Sequence, residues 1–186
     1  MAGFSDFPIY QFGHMRKGLL ILLVLLVIGI ISMLAYFSVQ KLSQKEDRTQ
    51  NISSLPDLSY FDISGNEVNL KDAFNGEKVI LILFNSECEH CTYEAKAIRE
   101  DISSFKDVTL IFLSMESLEK VIGFSRVASL DGVDRVTFGH VEPDKLESVF
   151  KNVRYPNIFL YNDDGSLIKE FKGETKIDLI LEAAGV

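Results

Sequence analysis

Cysteine is scarce in this chain: Cys88 and Cys91 are its only two, and three histidines (His14, His90 and His140) are all it adds as soft ligands. A structural zinc site takes four such ligands, and His14 precedes a long apolar run, so the supply falls short of one. Covalent haem attachment needs Cys-x-x-Cys-His, and the fifth position here is Thr92, which excludes it. Basic residues are also in deficit. Residues 1–48 hold five Lys/Arg and three Asp/Glu; subtracting these from totals of 19 and 27 leaves 14 and 24 in residues 49–186, a net charge of −10. Such an acidic part argues against nucleic acid as a partner and against adhesion to anionic headgroups. Low-complexity tracts and fixed-period repeats are absent too, so neither a solenoid nor a disordered chain is expected.

One stretch lacks charge altogether. Residues 18–37 carry no ionisable acid or base and are almost wholly apolar. A helix of about 20 residues spans the roughly 30 Å hydrocarbon layer, so residues 18–38 read as a single transmembrane anchor behind an N-terminal tail, 1–17. A cleaved signal peptide usually has an apolar region of about 7–15 residues ending in an A-x-A-like pattern. Here the run is longer and leaves through SMLAYF, which has no such pattern, so an uncleaved anchor is the expectation. Arg16 and Lys17 before the run against Lys41, Lys45 and Arg48 after it give no clear vote on orientation, although the adjacency of Arg16-Lys17 leans towards a cytoplasmic N-terminus. Residues 39–55, rich in Ser, Gln, Lys and Asn, read as a polar linker.

From residue 56 onward the patterns alternate. Segments 58–61 and 67–70 flank Ser64-Gly65-Asn66 as a short hairpin. Residues 78–84 (KVILILF) and 108–113 (VTLIFL) are compact apolar runs typical of strands buried on both faces. Helical spacing covers 92–105, 117–130 and 143–150, the last with Pro143 in its first turn, and 136–140 reads as a shorter strand. Residues 157–161 and 167–171 form a hairpin about a Gly-containing turn, and 176–184 closes the chain as a helix ended by Gly185. The predicted class is therefore α/β: a mixed sheet flanked by helices in a domain spanning 56–186, preceded by one membrane helix. About 130 residues bury a sizeable core without disulfide staples, so the two cysteines have another purpose.

They lie three positions apart, directly after a buried strand and at the start of a helix. The first helical turn has free N–H groups and the positive end of the macrodipole, which favour a thiolate at Cys88. Only the thiolate attacks a disulfide, and Cys91, one turn on, is placed to resolve the mixed disulfide that results. Two readings compete with thiol–disulfide exchange: a pair of plain core cysteines, disfavoured by the polar neighbours Glu87, Glu89 and His90, and copper relay through the two thiolates and a histidine.

The run Asn85-Ser86-Glu87-Cys88-Glu89-His90-Cys91 between strand and helix resembles the active-site opening of the thioredoxin superfamily. Tyr155-Pro156, followed by the strand NIFLY and by Asp163-Asp164-Gly165, sits where that family places a cis-proline facing the cysteines. The segment 62–70 (DISGNEVNL) resembles the N-terminal extension of the membrane-tethered, periplasm-facing branch, which includes proteins related to cytochrome c maturation and the alkyl hydroperoxide reductase/redoxin group. The resemblance covers residues 56–186. It implies a thiol–disulfide oxidoreductase with Cys88 as nucleophile, Cys91 as resolving thiol, His90 tuning the pair, and Tyr155 and Pro156 contacting substrate. It implies no cofactor, a protein thiol or disulfide as partner, and a transmembrane electron donor if the protein is a reductase. Disulfide chemistry persists outside the cytosol, so the domain is expected on the extracytoplasmic side.

The sequence also departs from the family pattern. Ile82 replaces the buried Asp that usually shuttles protons, six positions before the first Cys, leaving Glu89 or water as substitutes. Glu87 stands where a Trp is usual, and Asn85 replaces the Thr that the peroxidase branch carries three residues before its reactive Cys. His90 favours the thiolate and hence an oxidant, while Glu87 and Glu89 oppose it; with the tether-like extension, the balance leans towards a reductant. A metallochaperone and a catalytically idle tethered module remain open alternatives.

Overall fold

A computed structural model describes residues 11–74 and 76–186, which divide into a unit ending at Glu46 and a unit from Asp47 to Val186. Most of the expected N-terminal tail lies outside the described residues, and the backbone is helical from Gln11. That helix, α1, is Gln11–Ile52. Its large apolar side chains from Leu19 to Leu42 are all exposed. It is long and apolar enough to cross a bilayer.

The expected polar linker is helical up to Ile52, and its residues from Asp47 onward belong to the folded unit. Ile52 and Leu55 are buried, Leu55 N–H donates to the Gly165 carbonyl (2.7 Å), and Leu167 N–H donates to that of Ser53 (2.9 Å). Ile52, Leu55 and Leu58 are spaced apolar residues among polar ones, and they cover a sheet face.

Seven strands follow: β1 (Ser59–Asp62), β2 (Glu67–Asn69), β3 (Lys78–Leu83), β4 (Val108–Ser114), β5 (Val136–His140), β6 (Asn157–Tyr161) and β7 (Leu167–Lys172). Their spatial order is β2-β1-β5-β4-β3-β6-β7. β3, β4 and β5 are parallel, while β1–β2, β1–β5, β3–β6 and β6–β7 are antiparallel. Short α2 (Leu70–Ala73) precedes β3; α3 (Glu89–Glu100), α4 (Leu118–Val127), α5 (Pro143–Phe150) and α6 (Ile177–Ala184) complete the unit. The mixed sheet with flanking helices is the thioredoxin-like architecture.

Period-two alternation sends β3 side chains to two cores. Ile80 and Ile82 meet Leu110, Phe112 and Phe138 under α3, α4 and α6. Val79, Leu81 and Leu83 meet Ile111, Leu113 and Phe159 on the face that Ile52, Leu55, Leu146 and Phe150 cover. Both faces being buried is why the two central strands read as unbroken apolar runs. At β5, a Cβ on Gly139 would lie 2.3 Å from the Tyr60 ring, so only glycine admits the crossing of β1 there. The parallel strands β3 and β4 thus end side by side, and the loops that leave them carry the cysteines and their supports.

Candidate active site

Cys88 caps α3. Its backbone is extended, and its Sγ accepts the Cys91 N–H at 3.4 Å, using one of the donors that a helix start leaves unpaired. The sulfur is half-buried and lies 3.9 Å from the Tyr155 carbonyl oxygen. Cys91 is on the inner side of the first turn, 2% exposed among the α3, α4 and α6 core residues. Both are free thiols. Burial, with Cys88 and Glu94 nearby, pushes the Cys91 thiol up to about 12. The pair is therefore asymmetric, one sulfur reachable and one held protonated in the interior.

The loop before Cys88 is fixed by Glu116, which follows β4. Ser86 donates its N–H (2.5 Å) and its hydroxyl (2.8 Å) to the Glu116 carboxylate, and Lys120 approaches it at 3.1 Å. Burial works against the charge, but the two Ser86 bonds and Lys120 outweigh it and hold the carboxyl below its ordinary value. Lys120 also pairs with Glu87 (2.8 Å), and His140 Nδ1 lies 2.7 Å from the Glu116 carbonyl. His140, at the end of β5, thus supports this loop by contacting a backbone group.

His90 is exposed, and its Nδ1 lies 2.7 Å from Glu174 in the β7–α6 loop. The Tyr155–Pro156 peptide bond is cis, Pro156 is buried, and the half-buried Tyr155 ring borders both cores. Burial first, then the Glu116 and Cys91 charges, push the Tyr155 hydroxyl up to about 12. Cys88 and Tyr155 therefore meet, while the His90 ring pairs with Glu174.

Ile82 is in the core, so no acid occupies the position six residues before Cys88, and Glu89 is exposed. The acid that reaches the interior is Glu94, missed in the sequence. It is 1% exposed, accepts the Thr175 N–H at 2.7 Å on one oxygen, and its other oxygen has no partner among the described residues. Burial, and then the Glu174 charge, push its carboxyl up to about 7 despite the Thr175 bond. The signal was available: positions 91, 94, 95 and 98 form one helical stripe, and Glu94 is the only charged residue among Cys91, Ala95 and Ile98. For copper relay, no group of three or more His, Cys, Asp or Glu side chains converges among the described residues.

The sequence model of the AhpC/TSA family matches residues 53–170. A thiol-disulfide oxidoreductase ResA of Bacillus thuringiensis subsp. konkukian is 24% identical over 164 residues, covering 86% of this chain and 91% of the relative. Among solved structures, the peroxidoxin BcpB of Mycobacterium tuberculosis superposes with a TM-score of 0.61 at 16% identity, over 71% of this chain and 94% of that one. A secreted disulfide oxidoreductase of the same organism gives 0.56 at 16% identity, over 70% and 96%. These two establish the fold.

Proposed function

The chain belongs to the AhpC/TSA family, and from that membership we propose that it is a thiol–disulfide oxidoreductase that reduces disulfides of protein partners through Cys88 and Cys91. The observation that carries the reading is the N-cap geometry: a reachable Cys88 sulfur held by the Cys91 N–H, 3.9 Å from the Tyr155 carbonyl oxygen. The name of the ResA relative supports the same activity.

The Cys88 thiolate attacks one sulfur of the substrate disulfide, forming a mixed disulfide and releasing the other sulfur as a thiolate. Cys91 then loses its proton to the Glu94 carboxylate and attacks the Cys88 sulfur. The second substrate thiol leaves, and a Cys88–Cys91 disulfide remains. The substrate gains two electrons, which the protein loses. Tyr155 and Pro156 present backbone to an extended substrate segment, and His90, with Glu174, tunes the charge around the motif. A dithiol electron donor in or across the membrane returns the pair to the reduced state.

Residues 18–38 of α1 serve as a single-pass anchor in this reading, with the domain on the extracytoplasmic side where substrate disulfides form. The test is trapping. With Cys91→Ser, Cys88 captures a protein substrate as a stable mixed disulfide, released by dithiothreitol; with Cys88→Ser nothing is captured. Equal capture by both variants contradicts the assignment of nucleophile and resolving thiol.

A further inference from the structure

The Tyr155-Pro156 dipeptide is carried on a six-residue loop, 151–156, between the end of α5 at Phe150 and the start of β6 at Asn157. Two residues of that loop, Lys151 (φ 46°) and Asn152 (φ 38°), have positive φ without being glycine, a conformation that L side chains adopt at some cost. Such a loop keeps its shape only if its surroundings over-determine it. One side chain reaches both of its ends. Arg48, in the last turns of α1 and within the same folded unit as the loop, donates Nε–H to the Phe150 carbonyl at 2.6 Å. Its two terminal nitrogens donate to the Glu170 carboxylate, one at 3.1 Å. Glu170 in turn accepts the Asn157 amide at 3.1 Å. The Asn157 Oδ1 has no partner among the described residues, so this single bond sets the orientation of its side chain.

We infer that Arg48 is a positioning residue for the substrate loop: through Phe150 and Glu170 it fixes both ends of residues 151–156 and so sets where Tyr155 and Pro156 meet the partner chain. The inference rests on the proposed role of Tyr155 and Pro156 in substrate contact. The guanidinium suits the task because it is planar and directs several donors at once, whereas a lysine at the same place offers a point charge and loses the fork. Its plane also lies 5.9 Å from the Phe159 ring centroid, which holds it from a third side. Both members of the ion pair are mostly buried, 18% and 14% exposed, so removing one leaves the other little solvated and short of its bidentate partner. Replacing both by apolar residues leaves no stranded charge, which separates positioning from stability.

The experiment uses the full chain in detergent micelles. The substrate is a synthetic ten-residue peptide in mixed disulfide with glutathione, turned over with dithiothreitol as reductant. Four chains are compared: the wild type, Arg48→Met/Glu170→Met, Arg48→Lys and Tyr155→Ala. Iodoacetamide alkylation of Cys88 serves as a readout that needs no bound peptide. The expected result is a KM raised about 5- to 10-fold in the double variant and in Tyr155→Ala, with alkylation within 2-fold of wild type and the double variant still melting cooperatively. Arg48→Lys, which keeps the charge, recovers only part of the wild-type KM. An unchanged KM in the double variant, with a raised KM in Tyr155→Ala, overturns the role of Arg48 alone. An unchanged KM in both overturns the substrate contact at Tyr155 and this inference with it. A double variant whose alkylation falls as much as its turnover marks a general disturbance of the fold and also overturns it.

Discussion

Glu94 stands one helical turn past Cys91 on the inner face of α3, and both are sealed from solvent, at 1% and 2% exposure. An interior carboxyl raised to about 7, close to neutral pH, is a proton acceptor placed near the Cys91 thiol, which burial raises to about 12 and which must lose its proton to resolve the mixed disulfide.

Resolution of the mixed disulfide therefore has a pH dependence set by Glu94. The Cys91-dependent release of a trapped peptide is expected to accelerate as pH rises through about 7, where the carboxylate forms. Glu94→Gln removes that inflection and slows release by roughly 10- to 100-fold, at the low end of general acid–base effects. Stopped-flow release of a fluorescent peptide from the Cys88 adduct measures both. A variant that keeps the wild-type profile excludes Glu94 from the step.

The same carboxyl affects stability. Its folded-state value of about 7 exceeds its ordinary 4.5, so between these values the native state holds a proton that the unfolded chain has released. Stability from this group is complete below about 4.5 and is lost as pH rises towards 7, by on the order of 3 kcal/mol. Urea titrations at pH 4.5 and 7.5 are expected to show Glu94→Gln less sensitive to pH across this window than the wild type. An identical dependence in both refutes the burial of a protonated Glu94.

Glu116 acts in the opposite direction. Its carboxyl is held below the ordinary value, so its contribution is present above about 4.5 and is lost as pH falls through the lower folded-state value. Glu116→Ala leaves the Ser86 N–H without its acceptor, which costs about 1–3 kcal/mol, and it frees the loop that precedes Cys88. Chemical denaturation at pH 7 gives the loss, and Ser86→Ala, which removes only the hydroxyl bond, is expected to lose less.

Where the folded unit begins is open to direct measurement. A fragment of residues 47–186 retains Arg48, Ile52 and Leu55, whereas one of 56–186 lacks all three and leaves Glu170 without its Arg48 partner. Each buried aliphatic side chain is worth about 1.5–3 kcal/mol, so the shorter fragment is expected to be several kcal/mol less stable. Thermal melts of the two fragments that coincide contradict this boundary.

The order of elements was legible because the central strands are apolar on both faces and the helices are amphipathic, so Lys78–Leu83, Val108–Ser114 and Asn157–Tyr161 fall within a residue or so of where pattern puts them. The cysteine pair was legible because its spacing and its place between strand and helix carry the chemistry. Glu94 was hidden because a glutamate on a helix is normally solvated, and only the depth of the 91–94–95–98 stripe makes it interior. Residues 47–55 were hidden because polarity dominates their composition, while the two side chains that decide their place, Ile52 and Leu55, are too few to raise a periodic signal. The Arg48–Glu170 contact joins residues 122 positions apart, and no local pattern announces such a pair.

The central claim is tested most directly by the equilibrium reduction potential of residues 47–186, titrated against dithiothreitol and glutathione, with Cys88→Ser as the control. A reversible two-electron couple near the thioredoxin value of about −270 mV or below is the result expected of a reductase. A couple near about −120 mV would make the protein an oxidant, and the absence of any reversible couple would contradict the thiol–disulfide activity itself.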